Sequence, residues 1–477
     1  MLDNFWEHID KYRKLGFDPL KWIATCGNEV DPIILRSALQ EVKKSTVKIS
    51  PNWFDSYYHI DGKKPELTRR VYNLVDPVID KELEVKRALA VLRIHTGAGE
   101  DAHLLSEVLE KFLKIFSAKV AATCTTAVLT EQPEAQFAML DYIELHRGDK
   151  VGFMPAVTAA TQVTDVTRDP DADVHSNIAM TSAIEALNLL GCGQSSSFKM
   201  FPIYDAPDEG ILDRIRSNLD AFTSRYNLAM EDYNALKTNK LFYGTTAMAT
   251  TTKELPTRYD QVDEGMEIFV TNKFGGLPAL SLYTLARTNS ENIIKYETAG
   301  ISFESVTKAR DEAIRNLSEP HFALGKIIAK YSPDYGTPYD KNSHIAAVSP
   351  VGPRGILSLG SLAELSNAHI LVNELPVRNE EISRFATKEY LVENATASLN
   401  GCHLLVASKE VTELMMEEFG KHNFSPERIG IVSKKGAGYV TFSAQTKVQD
   451  YVASKVKLDR ITSAPVQQSA PSSAPNQ

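Results

Sequence analysis

Cysteine is scarce in this sequence, and basic charge is outnumbered. Four cysteines occur in 477 residues (Cys26, Cys124, Cys192 and Cys402), widely scattered and with no CxxC pair. That spacing argues against a disulfide scaffold or a cysteine zinc site and fits a reducing cytosol. Lys and Arg number 52 against 61 Asp and Glu, a formal charge of −9, so the chain lacks the basic face of a general nucleic-acid binder. No apolar run approaches the roughly 18 residues needed to span a bilayer. The start, MLDNFWEHIDKYRK, has neither the basic head nor the apolar core of a signal peptide. These absences predict a cytoplasmic protein with no membrane or nucleic-acid partner. What is present is ordinary for a globular chain: 43% hydrophobic and 24% charged residues. A chain of 477 residues is expected to hold two or three domains with large cores.

The most informative stretch is 158–201. It reads as an extended Thr/Val segment, an acid-rich turn, a helix, and a glycine-punctuated exit towards another apolar strand. Ala179, Ala183, Ala186, Leu187 and Leu190 recur at i, i+4, i+7, i+8 and i+11, the buried stripe of a helix. Thr181, Glu185 and Asn188 form a polar line on another side. Asp169 can cap this helix, Pro170 suits its first position, and Asp171 and Asp173 complement its positive end. Gly191 supplies the stop. Capping by itself accounts for Asp169, Asp171 and Asp173 without any ligand.

The remaining segments are read in order. Residues 1–45 predict two short helices around Trp22 to Gly27, with Cys26 just before the second. A helix start can lower a thiol pKa; the alternative is a small half-buried residue near a turn. Residues 46–90 are polar and aromatic, then strongly helical in pattern. The segment Ile94-His95-Thr96-Gly97-Ala98-Gly99-Glu100-Asp101 could bring backbone amides to a phosphate and hold a magnesium ion through Asp101 or Glu100. It reads equally well as a turn opening an amphipathic helix. A strand pair is expected over 137–145 and 151–157, interrupted by Asp141, then a helix over 211–228 and a Thr-rich strand over 241–252. The strand 268–271 leads through Asn272-Lys273-Phe274-Gly275-Gly276 into the helix 279–287. A second α/β block has strands at 345–348, 368–373 and 402–407, helices at 357–366 and 409–421, and a last strand pairing of 429–433 with 439–442. The Ser/Ala/Pro/Gln-rich end cannot bury a core and is expected to be disordered.

Taken in order, these segments resemble selenophosphate synthetase (selenide, water dikinase) and the wider aminoimidazole-ribonucleotide-synthetase-like superfamily. The resemblance covers roughly residues 135–445, with a fainter match at 22–42. It is carried by 161–191, by Phe201-Pro202-Ile203, and by Tyr243-Gly244-Thr245-Thr246-Ala247-Met248-Ala249-Thr250. Gly265 to Gly275, Leu359-Gly360-Ser361-Leu362-Ala363-Glu364-Leu365, and Thr396 to Ala407 complete the series. Such a resemblance implies an α/β fold of two domains and a homodimer whose N-terminal sheets close into a β-barrel, with a C-terminal α/β sandwich. The expected division is 1–134 as a helical extension or insertion, 135–288 as the nucleotide-binding domain, 289–455 as the second domain, and 456–477 as a tail. It also implies ATP between the domains, held through Mg²⁺ by clustered aspartates, because carboxylates meet a triphosphate only through bridging cations. Phosphate would be transferred to selenide, a small-molecule substrate.

The sequence departs from the family pattern at its acids. Cys26 matches the family's N-terminal Cys, but Glu29 stands where a Lys is expected. Metal-binding positions of the family fall on Thr161, Ser182 and Ala186, and its catalytic acidic loop falls on Ser349 to Gly355, which has no acid. The remaining site expectations are Cys26 as the catalytic residue and Asp101 or Asp141 for the metal. Asp165, Asp169, Asp173, Glu185, Asn272 and Lys273 are expected to face the nucleotide. Asp141 is preferred over Asp101 because the latter requires a long insertion within the first sheet. The competing reading is a catalytically degenerate homodimeric scaffold or regulatory relative of the same fold.

Overall fold

The computed structural model describes residues 5–15, 70–75, 124–129, 139–147, 150–161, 165–232, 241–288, 290–334, 336–390, 392, 394–453 and 455–463. Helix α1 (Phe5–Lys14) comes first, followed by strands β1 (Arg70–Val75), β2 (Cys124–Leu129), β3 (Met139–Arg147) and β4 (Lys150–Thr161). Then come α2 (Asp173–Asn188), β5 (Lys199–Asp205), α3 (Glu209–Tyr226), β6 (Ala229–Met230), β7 (Phe242–Met248) and β8 (Glu267–Val270). Four helices follow: α4 (Leu277–Thr288), α5 (Glu291–Thr298), α6 (Phe303–Ser318) and α7 (Phe322–Lys330). The chain continues through β9 (Ala347–Pro350), α8 (Ser358–Ser366), β10 (Ala368–Val372), α9 (Glu380–Tyr390), β11 (His403–Ala407) and α10 (Lys409–Lys421). It closes with β12 (Glu427–Lys435), β13 (Tyr439–Phe442) and α11 (Lys455–Thr462).

The strands form two sheets, so the fold is mixed α/β. The first has seven strands in the order β1-β2-β3-β4-β7-β5-β6, and the second six in the order β13-β10-β12-β8-β11-β9. In the first, β3 and β4 form the expected antiparallel hairpin, closed where Arg147 faces Lys150. Helix α2 packs across β4 and β7, with Ala179, Met180, Ala183, Ile184 and Leu187 in a core shared with Phe198, Met200, Tyr243 and Ala247. Helix α1 joins this core through Phe5, Ile9 and Tyr12, all with no exposed surface. The second core lies around Ile268, Val270, Leu404 and Val406 of the central strands.

Local chemistry sets several helix ends. The Asp208 side chain accepts the Ile211 N–H at the start of α3, and Asn227 ends that helix at φ 53°. Ser302 and Ser408 cap α6 and α10 in the same way, each satisfying a backbone donor that the helix cannot. Helix α2 ends as its glycine predicts: Cys192 N–H bonds Leu187 O, Gly191 N–H bonds Asn188 O, and Gly191 has φ 83°.

Six expectations need correction. Helix α2 begins at Asp173 with Ala172 at its cap, and no side chain caps it; Asp169 is drawn away by Lys11. Residues 70–75, within a segment of helical pattern, form β1, because pairing with β2 supplies the backbone bonds that periodicity assigned to a helix. Strands β12 and β13 exist but are not partners: β10 lies between them, antiparallel to β12 and parallel to β13. The expected tail from 456 includes α11, whose Leu458 and Ile461 are buried. Finally, β1 and β2 are neighbours although 76–123 separates them in sequence. A long insertion within the first sheet therefore exists, and the objection to Asp101 falls. Strand β8, within the expected segment 135–288, pairs in the second sheet with β11 and β12.

Candidate functional site: a buried junction around Glu185

The polar line on α2 is not a solvent face. Thr181, Glu185 and Asn188 are all buried, as are His175 and Ser176 on the same helix. One side of α2 meets the first core, and the opposite side meets α6 and α7 together with the loop that enters β11. Thr181 Oγ1 donates to Ser318 O at 3.1 Å, at the end of α6. One turn on, the Glu185 carboxylate takes donors from both sides. Oε1 accepts the His321 backbone N–H at 2.7 Å and lies 3.0 Å from His321 Nδ1. Oε2 accepts Gly401 N–H at 3.2 Å and lies 3.3 Å from His403 Nε2.

The loop at Gly401 is held in turn by the end of β8. Gly401 O accepts from Thr271 Oγ1 at 2.5 Å and from Asn272 Nδ2 at 3.0 Å. Asn272 Oδ1 accepts Ser425 N–H, and Asn272 O accepts the Cys402 thiol. Gly401 has φ 77°, a left-handed conformation that glycine adopts without cost.

Electrostatics follow from this geometry. Burial would raise the Glu185 pKa, but His321 and then His403 outweigh it and hold the carboxylate well below its usual range. Burial would lower His321, yet the Glu185 charge wins and raises it. The result is a buried anion whose charge favours the protonated form of His321. Two buried atoms in the cluster, His403 Nδ1 and Asn188 Oδ1, have no hydrogen-bond partner among the described residues.

A second buried pair lies nearby. Asp165, 3% exposed, is bonded by Arg310 Nη2 at 2.6 Å and by Thr167 Oγ1 at 2.6 Å. Burial opposes its charge, but Arg310 prevails and lowers its pKa. The same guanidinium sits 4.5 Å above the Tyr283 ring.

The expected site residues are therefore dispersed. Asp165 is clamped by Arg310 on α6. Asp169 pairs with Lys11 at 2.5 Å and His8 at 3.2 Å, tying α1 to the turn. Asp171 pairs with Arg214, and Asp173 is exposed in the first turn of α2. Asn272 spends both ends of its amide on the protein, whereas Lys273 beside it is exposed. Ser182 donates to Ile178 O on its own helix, and Ala186 packs against the first core. Asp141 lies on β3, opposite Ala127 and Ala156. Cys26 and Asp101 lie outside the described residues. Cys192 and Cys402 are buried; burial raises both thiols, Cys402 to about 12, which leaves them poor nucleophiles.

These partners decide whether the acids suit a metal. Mg²⁺ demands carboxylate oxygens at about 2.0–2.1 Å and near-octahedral geometry. The Asp165 and Glu185 oxygens face a guanidinium and two imidazoles instead, so they do not fit as its ligands. Among the described residues no group of three His, Cys, Asp or Glu is arranged to hold a metal. The sequence pointed to Glu185 and Asp165 but not to His321 and His403, which hold the first, nor to Arg310, which holds the second. His403 stood within the quoted segment 396–407; Arg310 carries no local signal.

No family model and no curated protein matches the chain. Among solved structures it is similar to thiamine-monophosphate kinase from Stenotrophomonas maltophilia, at 15% identity and TM-score 0.43, over 62% of this chain and 87% of that one. It is also similar to the hydrogenase maturation protein HypE in complex with ATP, at 15% identity and TM-score 0.41, over 63% and 85% of the two chains. A third is thiamine monophosphate kinase from Aquifex aeolicus, at 15% identity and TM-score 0.40, over 64% and 92%. Among the described residues no helix is long and apolar enough to cross a membrane.

Proposed function

We propose that the chain is an ATP-dependent phosphotransferase resembling selenophosphate synthetase, working as a homodimer, with the nucleotide entering between the two sheets. One observation supports this reading. Three of the segments that carry the resemblance, 161–191, 265–275 and 396–407, converge on one hydrogen-bonded junction through Glu185, Thr271, Asn272, Gly401 and His403. In this reading Mg²⁺ is held by Asp101 or Asp141, Cys26 is the nucleophile towards selenide, and exposed Lys273 meets the phosphates. Asp165 and Glu185 stand behind the site as charge-compensated supports.

A second reading is a binding or regulatory scaffold without catalysis. It is favoured by the Asp165–Arg310 clamp, which commits a carboxylate in the expected nucleotide region to a protein cation.

One measurement separates the two. A ligand that binds only the folded state stabilises it by RT ln(1 + [L]/Kd), about 2.7 kcal/mol at a hundredfold excess over Kd. Phosphotransferase function predicts a melting temperature that rises steadily with ATP and Mg²⁺; a flat response sinks it in favour of the scaffold. If ATP binds, unchanged turnover in Cys26→Ala removes that residue from the chemistry.

A further inference from the structure

His321 precedes α7 and is held there by Glu185. A single carboxylate oxygen accepts the His321 backbone N–H at 2.7 Å and faces its Nδ1 at 3.0 Å, so the ring is fixed from two directions. With Nδ1 committed, the chemistry of the ring is delivered through Nε2, which bonds nothing among the described residues. The imidazole is 21% exposed, whereas the carboxylate behind it is 4% exposed. The pair thus runs from a buried anion to a partly exposed ring.

Gly401 borders that ring. A Cβ there would sit 3.1 Å from His321 Cε1 and 3.3 Å from both Nδ1 and Nε2, so glycine lets the loop approach the ring this closely. A carboxylate on one imidazole nitrogen sets the tautomer and aims the other nitrogen outward.

We propose that Glu185 and His321 form a carboxylate–histidine dyad that presents Nε2–H to a phosphate-type oxyanion at the junction of the two sheets. Its ligand class rests on the phosphotransferase reading. No bond is broken: Nε2–H donates to the oxyanion while Nδ1–H stays on Glu185.

The charged and titratable groups facing His321 come from four elements. They are Glu185 of α2, His403 of β11 sharing that carboxylate, Glu319 of its own segment, and Arg378 ahead of α9. Arg378 is itself paired with Glu312 of α6 at 2.6 Å. Burial and Arg378 disfavour the imidazolium, but Glu185 outweighs them and raises its pKa. The donor exists only while the ring is protonated, so oxyanion binding weakens as pH rises through that value.

The test is a thermal-shift titration of the full chain with ATP and, separately, with pyrophosphate, without metal, at about pH 6 and about pH 8. The wild type should bind both more tightly at the lower pH. His321→Gln, whose amide can still reach Glu185, should bind roughly tenfold more weakly and lose the pH dependence. Peptide mapping of diethylpyrocarbonate-treated wild type provides a readout without any variant: saturating pyrophosphate should protect His321. Equal ATP binding by wild type and variant with no protection overturns the dyad and leaves the phosphotransferase reading standing. Histidine-dependent pyrophosphate binding together with a flat response to ATP and Mg²⁺ does the reverse. If neither ligand binds at either pH, the dyad falls, and the separate titration with ATP and Mg²⁺ decides the phosphotransferase reading.

Discussion

Side-chain exposure decides what each acid on and around α2 is worth. Asp169 and Lys11 are 48% and 52% exposed, and such a pair contributes about 0–1 kcal/mol because water screens it. Glu185 is 4% exposed with four hydrogen-bond contacts from outside its helix. Removing one partner of a buried pair costs about 3–5 kcal/mol, since the other charge stays buried. Glu185→Ala should therefore lower unfolding free energy by that order in urea, and Glu185→Gln by less. The pH dependence has a definite sign. Glu185 is depressed from 4.5, so its contribution is present above that pH and is lost as pH falls through the folded value. His321 is raised from 6.5, so its contribution is present below that pH and is lost as pH rises through its folded value. Wild-type stability should exceed that of Glu185→Gln most between about pH 4.5 and 6.5, narrowing on the alkaline side. A constant difference across the range would refute the ion pair.

At the scale of elements, α7 reaches the exit of α2 because two glycines face each other. A Cβ on Gly193 would lie 2.2 Å from Lys326 N, and one on Gly325 would lie 2.4 Å from Cys192 O. Both obstacles are backbone, which cannot rotate away. Gly325→Ala should cost about 1–3 kcal/mol or more by overpacking and should loosen the His321 end of α7. Gly420→Ala on α10 meets nothing within 4 Å and should be neutral or stabilising by about 0.5–1 kcal/mol. Melting curves of the two variants check the contrast. Elements set by local chemistry were legible in the sequence: α10 matches its expected bounds of 409–421, with Ser408 at its cap. Strand partners were not. Nothing in 429–442 reveals that β10 enters between its two strands, because pairing is chosen by residues some sixty positions away (His369 opposite Lys434, beside Tyr439).

At the scale of the whole molecule, the chain's first helix completes the first core. Phe5, Ile9 and Tyr12 have no exposed surface, and the Tyr12 hydroxyl bonds His175 Nε2 at 3.0 Å and donates to Arg168 O at 2.9 Å. Burying each such apolar side chain contributes about 1.5–3 kcal/mol. Deleting residues 1–15 should therefore lower stability by several kcal/mol and bare part of the α2 core. A drop in melting temperature with new dye binding would show this; an unchanged melt would mean that α1 is dispensable. The buried neighbour His175 falls to about 4, burial being the main cause, so it stays neutral under the Tyr12 hydroxyl near neutral pH.

The small-residue stripe of α2, its glycine stop and the polar line through Glu185 could be read from the sequence, because those follow from residues within four positions of one another; its start at Asp173 could not. What the polar line does depends on the packing of distant segments. His321, Gly401 and His403 lie 136 to 218 residues beyond Glu185, and no periodicity connects them. They meet because two sheets, each closed by distant strand pairings, set α2 against the loop entering β11. Asp169 and Asp171 became ties to Lys11 and Arg214, Asp165 became a buried partner of Arg310, and Glu185 became the centre of the junction.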